Sequence, residues 1–171
     1  ASNVAAILDE KGLAVTLASA VISVQFAINT GAKLAIGVSL DRFGARRTIT
    51  GIMCCMFLAG CCLLGASYLP LAFAYSLFYG IAFAISSSPI AVFVETLFGQ
   101  RNYSVFIGYY MAAYHGGVII SPLVAGWVFD HTGSYDTAIV LAVLLSVGAI
   151  LMFNLALTLA RRRRKELPHS V

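Results

Sequence analysis

Hydrophobic residues run along this chain in long stretches that no charge interrupts. Four stretches contain no Asp, Glu, Lys or Arg, and they cover residues 12–32, 48–94, 102–129 and 137–160. A helix needs about 20 apolar residues to cross the hydrocarbon core of a bilayer, and each stretch is at least that long. The pattern therefore predicts a polytopic α-helical membrane protein without a soluble domain.

Turn-forming and charged residues divide these stretches into five predicted transmembrane spans. The spans are Leu13–Leu40, Thr48–Leu69, Leu71–Leu97, Val105–Phe129 and Thr137–Ala160. The stretch after Arg47 is too long for one crossing, and Pro70 can begin a new helix because the first turn tolerates its missing N–H. The predicted fold class is all-α, with a basic tail at residues 161–171.

The composition agrees with a membrane location. Hydrophobic residues make up 60% of the chain and charged residues 11%, whereas soluble domains carry roughly 25% charged residues. The net charge of +4 does not predict a nucleic-acid partner, because the basic residues flank apolar stretches and are not interleaved with solvent-facing aromatic residues. The chain starts at Ala1 without an initiator methionine, so we expect missing N-terminal helices of the same protein as its partners.

All cysteines lie in the second span. Cys54 and Cys61 are seven residues apart, which is about 10 Å along a helix and beyond the reach of a disulfide. The sulfur atoms of residues 53–56 are a chemically available Cu(I) site, but no histidine or carboxylate in that span supports it. We therefore expect no metal and no other cofactor.

The loop charges predict the orientation in the membrane. With five crossings, all loop and tail cations except Lys11 fall on one side: Arg42, Arg46, Arg47, Arg101, Arg161, Arg162, Arg163, Arg164 and Lys165. The positive-inside rule then places the tail in the cytoplasm and Ala1 outside. We expect a multi-pass protein of the plasma membrane whose tail is either a simple anchor or a contact for anionic membrane lipids.

The loop between the first two spans has the spacing G-x-x-x-D-R-x-G-x-R-R. Its fixed positions are Gly37, Asp41, Arg42, Gly44, Arg46 and Arg47. Gly37 lets another backbone approach, Gly44 permits a sharp reversal, and Asp41 can accept N–H groups or face a helix N-terminus. An ordinary basic loop would explain the arginines but not the spacing of the glycines and the aspartate. This loop resembles the one that major facilitator superfamily transporters carry in each half of the molecule.

The resemblance implies that the chain is the C-terminal part of such a transporter, with its spans corresponding to helices 8–12 of twelve. The third span lacks the arginine that many members place in their fourth helix, and residues 129–135 resemble the turn before the last helix in monocarboxylate transporters and oxalate:formate antiporters. Such transporters work by alternating access, in which two halves rock around a central site. The resemblance thus implies a small-molecule substrate.

Lys33 is the charge deepest inside a predicted span, and buried cations in a bilayer are costly enough to suggest a function. Gln25, Asn29 and Lys33 are spaced by four, so they form a polar stripe that faces a partner or a wet cavity. In the two families named above, a substrate-binding arginine precedes the loop glycine by four residues, as Lys33 precedes Gly37. The alternative is that Lys33 extends toward the headgroups.

His115 is the second candidate for substrate binding. It precedes Gly116 at the place where oxalate:formate antiporters carry a lysine before a glycine. A histidine there can hydrogen-bond a carboxylate or take up a proton near neutral pH. Tyr110 and Tyr114, one turn apart, would add hydroxyl groups beside the cavity. An interhelical hydrogen bond and ordinary packing are the alternative roles.

Glu95, at the end of the third span, is a candidate cytoplasmic latch. It can pair with Arg42, Arg46 or Arg101 and release them when the transporter changes state; the alternative is an exposed pair worth about 0–1 kcal/mol.

The predicted function is secondary active transport of a small organic anion, such as a mono- or dicarboxylate, by proton symport or anion exchange. An exporter of lipophilic compounds and a non-transporting membrane sensor or scaffold are the alternatives. We do not expect an enzyme, because no span contains a paired acid and base or a metal-protease motif.

Overall fold

The computed structural model describes residues 4–84 and 88–166, which form helices and contain no strand. Within these ranges it does not describe the side chains of residues 88–89, 93, 96–99, 101–102, 156–157 and 159–166. The helices are α1 (Val4–Glu10), α2 (Val15–Leu64), α3 (Leu69–Phe83), α4 (Ser88–Thr132) and α5 (Asp136–Glu166). The all-α fold class is confirmed. The predicted tail residues 167–171 lie outside the described residues.

Helix α2 holds most of the first two predicted spans and reverses between them. Gly44 has φ 78° and ψ 160°, which is non-helical, and the Thr48 hydroxyl donates a hydrogen bond of 3.0 Å to the carbonyl of Ser39 across this point. Residues from both sides of Gly44 pack in the same apolar clusters. Leu40 packs in one cluster with Ile52, and Val21 packs in another with Ala59. The two halves of α2 are therefore an antiparallel pair.

The third and fourth predicted spans are divided differently in the structure. Helix α3 has a proline in its first turn, Pro70, and ends at Phe83, so the predicted third span is split between α3 and the start of α4. The loop that we predicted at Phe98–Ser104 is helical within α4. That prediction rested on polarity, and a polar segment without proline can keep its backbone hydrogen bonds and stay helical.

Three described helices are long and apolar enough to cross a membrane. They are Val15–Leu64, Tyr103–Thr132 and Asp136–Leu155, and α3 is a shorter apolar helix. The two halves of α2 overlap the first two predicted spans. Large apolar side chains remain exposed along α4 and α5, among them Ile119, Leu123, Trp127, Leu144 and Leu151. Such a surface suits contact with lipid or with other helices.

The end of the bundle opposite Gly44 is tied together by charged side chains. The Lys11 ammonium lies 2.7 Å from a carboxylate oxygen of Asp136 at the start of α5, and it donates a hydrogen bond of 2.9 Å to the carbonyl of Leu64 at the end of α2. The Glu10 carboxylate accepts a bond of 3.1 Å from the backbone N–H of Tyr135. We call these contacts the Lys11 clasp. They join α1, α2 and α5 at one point.

Candidate functional site

The polar stripe on the first half of α2 packs against α3. Asn29 is 5% exposed and Gln25 2% exposed, and the Asn29 amide donates a hydrogen bond of 3.1 Å to the carbonyl of Gly80. The Ser76 hydroxyl donates one of 2.7 Å to the carbonyl of Val21. These bonds satisfy backbone and side-chain groups that would be costly to leave unpaired in a bilayer. We call this contact the α2–α3 seam.

Gly80 lets the two backbones meet at the seam. A Cβ added at Gly80 would lie 2.8 Å from the carbonyl oxygen of Gln25 and 2.9 Å from a methyl carbon of Ile28. Small residues allow such close approach of membrane helices. The side-chain oxygen Oε1 of Gln25 is buried there and has no hydrogen-bond partner within the described part of the chain.

Lys33 does not lie in the seam. Its side chain is exposed, whereas Ala32 and Ile36 beside it are buried. Residues four apart on a helix are rotated by roughly 40° because a turn takes about 3.6 residues. Residues spaced by four therefore do not all face the same neighbouring helix. Gln25 and Asn29 face α3, whereas Lys33, the third residue of the stripe, lies to one side of the contact. None of the described carboxylates forms a salt bridge with Lys33.

His115 and its neighbouring tyrosines lie together on α4. The rings of Tyr110 and Tyr114 stack with centroids 6.2 Å apart, and the Tyr114 and His115 rings meet edge-on at 5.3 Å. Both tyrosines are half-buried, whereas His115 is exposed. The imidazole is thus accessible on this chain, beside the phenol of Tyr114.

An aromatic ladder on α3 was not among the predicted site residues. Tyr75 stacks on Tyr79 with centroids 5.2 Å apart, and Tyr79 stacks on Phe83 at 6.0 Å. Tyr75 is buried in the core, whereas Tyr79 and Phe83 are half-buried. The spacing of four between the three ladder residues was the signal in the sequence that could have revealed it.

The charged loop at Gly44 is exposed and open. Asp41, Arg42 and Arg47 are exposed and Arg46 is half-buried, and none of them forms a salt bridge with a described side chain. A Cβ added at Gly37 would meet no atom within 4 Å, so the predicted close approach of another backbone there does not occur among the described residues.

Glu95 contacts a neighbour on its own helix. Its carboxylate accepts a hydrogen bond of 3.1 Å from the Gln100 amide, and it makes no salt bridge among the described side chains. The side chain of Arg101, one of the predicted latch partners, lies outside the described residues. Within residues 4–84 and 88–166, no three His, Cys, Asp or Glu side chains converge as metal ligands would.

Comparison with known proteins identifies one family. The family model described as Major Facilitator Superfamily matches residues 1–170, which is nearly the whole chain. No curated protein and no solved structure matches significantly. The match does not distinguish the oxalate:formate or monocarboxylate families within this superfamily.

Proposed function

Because this chain belongs to the major facilitator superfamily of membrane transporters, we propose that its substrate is a small organic anion, such as a mono- or dicarboxylate. Transport would proceed by alternating access, with proton symport or anion exchange as the energy source. The chain would supply part of the substrate cavity, and further helices of the same protein would supply the rest.

Lys33 carries the proposal. Its ammonium lies within the predicted first span, Leu13–Leu40, is exposed on the flank of α2 and has no carboxylate partner among the described side chains. An uncompensated cation at membrane depth is expensive, so such residues usually face a cavity or a ligand. An anionic substrate would provide the missing counter-charge. The cation is thus expected to select for carboxylates over neutral analogues.

The α2–α3 seam gives Gln25 and Asn29 a supporting role in this proposal. Asn29 is one turn from Lys33 and is held by its hydrogen bond to Gly80, so it fixes the rotation of α2 and hence the direction of the lysine. His115, with Tyr110 and Tyr114, would complete the polar lining from α4 and hold or exchange a proton during transport.

Export of lipophilic compounds is the second candidate, and the aromatic ladder favours it. Tyr79 and Phe83 stack along α3 and are half-buried, whereas Tyr75, the third ring of the ladder, is buried in the core. Aromatic walls bind flat apolar molecules through their faces. In this case Lys33 would extend to the headgroups and take no part in binding.

The two candidates differ in what Lys33→Gln does to the full-length protein. For an anion transporter, the substitution removes a charge-assisted contact worth about 1.5–3 kcal/mol, which corresponds to one to two decades in affinity for a carboxylate. Lys33→Arg should keep part of the affinity because the charge survives. Uptake of labelled carboxylates into cells or proteoliposomes, normalised to the protein in the membrane, measures both variants.

Thr30→Val is the matched control for this experiment. Thr30 is an exposed polar residue near Lys33 on the same helix, and its hydroxyl bonds to the carbonyl of Phe26 in its own backbone. The control should transport normally. Wild-type carboxylate affinity in Lys33→Gln would rule out the organic-anion proposal, and export of lipophilic dyes by that variant would support the second candidate. A sensor or scaffold would transport neither class of compound.

A further inference from the structure

A groove runs between the two halves of α2 near their reversal at Gly44. Its volume is about 590 Å³, and it is lined by both halves and by Ile81 of α3. Pockets of roughly 300–1,000 Å³ hold drug-sized ligands. Lys33 and His115 are not lining residues, so the groove is separate from the proposed substrate site.

We infer that this groove binds an anionic phospholipid, with one acyl chain between the halves of α2 and the headgroup phosphate on Arg47. The lipid would come from the leaflet that lies level with the Gly44 loop. The inference does not depend on which substrate the protein transports.

The charge distribution in the groove selects an amphiphile. Arg47 is the charged residue in the lining, and the rest is largely apolar, with Ile36, Ile52 and Ile81 among the lining side chains. A polar metabolite would lose hydration against these side chains without gaining hydrogen bonds. A molecule with a charged head and a hydrocarbon chain matches both parts.

The lining also determines which headgroup fits. The hydroxyl hydrogens of Thr48 and Ser39 are donated to backbone carbonyls of Ser39 and Ala35, so the guanidinium of Arg47 is the donor left for a ligand. It is exposed and forms no salt bridge with the described carboxylates. A guanidinium binds a phosphate through two parallel hydrogen bonds. The same guanidinium repels the ammonium group of a zwitterionic headgroup, so a net anionic lipid is favoured.

Two glycines keep the groove open. A Cβ added at Gly31 or at Gly51 would meet no atom within 4 Å, and both residues line the groove. A larger side chain at either position would therefore begin in the open space of the groove, and Gly51→Leu is a substitution designed to fill it.

The experiment compares lipid binding to the purified full-length protein. Phosphatidylglycerol and phosphatidylcholine with identical acyl chains are titrated against the protein, and bound lipid is counted by native mass spectrometry. Wild type should bind phosphatidylglycerol at least about tenfold more tightly. Arg47→Gln should abolish this preference, and Gly51→Leu should weaken the binding of both lipids.

Arg42→Gln and Gly148→Leu are the controls. Arg42 is exposed in the same loop but does not line the groove, and Gly148 is on α5 with open space around an added Cβ. Both should bind lipid nearly as wild type does. Equal affinity of wild type for the two lipids would overturn the inference.

Other occupants give different results, and each would also overturn the inference. If Arg47→Gln and Arg42→Gln weaken binding equally and Gly51→Leu has no effect, the lipid is only attracted to the loop surface. If Gly51→Leu leaves lipid binding intact but lowers thermal stability or changes the oligomeric state, a protein helix occupies the groove.

Discussion

The two ends of the helical bundle reverse the chain in different ways. At the Lys11 clasp, charged side chains join three helices, and the lysine side chain is only 9% exposed. At the Gly44 loop, the reversal depends on a backbone conformation and on one hydroxyl–carbonyl bond between Thr48 and Ser39. The charges of this loop make no salt bridge with described side chains.

The difference shows which charges are available for other partners. An ammonium that already holds a carboxylate and a helix-end carbonyl has little capacity for another ligand. The arginines and the aspartate of the Gly44 loop keep theirs, so lipid headgroups or other parts of the transporter can bind them. We expect substitutions at the clasp to change stability, and those of the loop charges to change lipid binding or transport.

Gly44→Ala should have the largest effect on stability. A residue with a Cβ is strained at φ 78°, ψ 160°, at a cost of about 1–3 kcal/mol. Thermal unfolding of the full-length protein in detergent measures the loss. Gly37→Ala is the control, because Gly37 has a helical backbone and open space for a Cβ. Equal destabilisation by the two changes would show that the reversal does not depend on the conformation of Gly44.

Lys11→Met should have the next largest effect. The substitution keeps an unbranched apolar stem but leaves the Leu64 carbonyl without the ammonium, and a half-buried carbonyl without a partner costs about 1–2 kcal/mol. The melting temperature should fall, while uptake per folded molecule changes little. A wild-type melting temperature would mean that the clasp contributes nothing to stability.

The element types were predictable from the sequence because they depend on local properties. The lengths of the uncharged stretches indicate membrane helices, and a glycine between two charged groups marks the reversal at Gly44. The helical continuity of Phe98–Ser104 was not predictable from polarity, because a polar segment without proline can be either helix or loop.

The contacts of the candidate site could be predicted only in part. Spacing placed Gln25, Asn29 and Lys33 on one side of a helix, but it could not show that Asn29 bonds to a carbonyl 51 residues away while Lys33 stays exposed. In the same way, Lys11 and Asp136 are 125 residues apart. Such pairings depend on how helices cross, which no local pattern in one sequence encodes.

Asp136→Asn should have a smaller effect than Lys11→Met. Asp136 is 59% exposed, so water and salt screen the ion pair, and the loss is expected to be below about 1 kcal/mol. The asparagine oxygen can still accept a bond from Lys11. The melting temperatures of wild type and Asp136→Asn should differ at low salt and approach each other at high salt. A loss as large as that of Lys11→Met would show that the ion pair, and not the Leu64 carbonyl, dominates the clasp.

Asp41→Ala should have the smallest effect on stability, although it should impair transport. Asp41 is exposed and has no salt-bridge partner among the described side chains, so its removal should change the free energy of unfolding by less than about 0.5 kcal/mol. A carboxylate beside a helix end can still bind N–H groups of another helix in one state of the transport cycle. Uptake by the full-length protein should therefore fall more for Asp41→Ala than for Arg163→Ala, whose charge is shared by four neighbouring cations. Equal uptake by the two variants would count against a role for Asp41 in transport. A large loss of stability in Asp41→Ala would show that the aspartate has a structural partner. In that case the two ends of the bundle would be more alike than their contacts indicate.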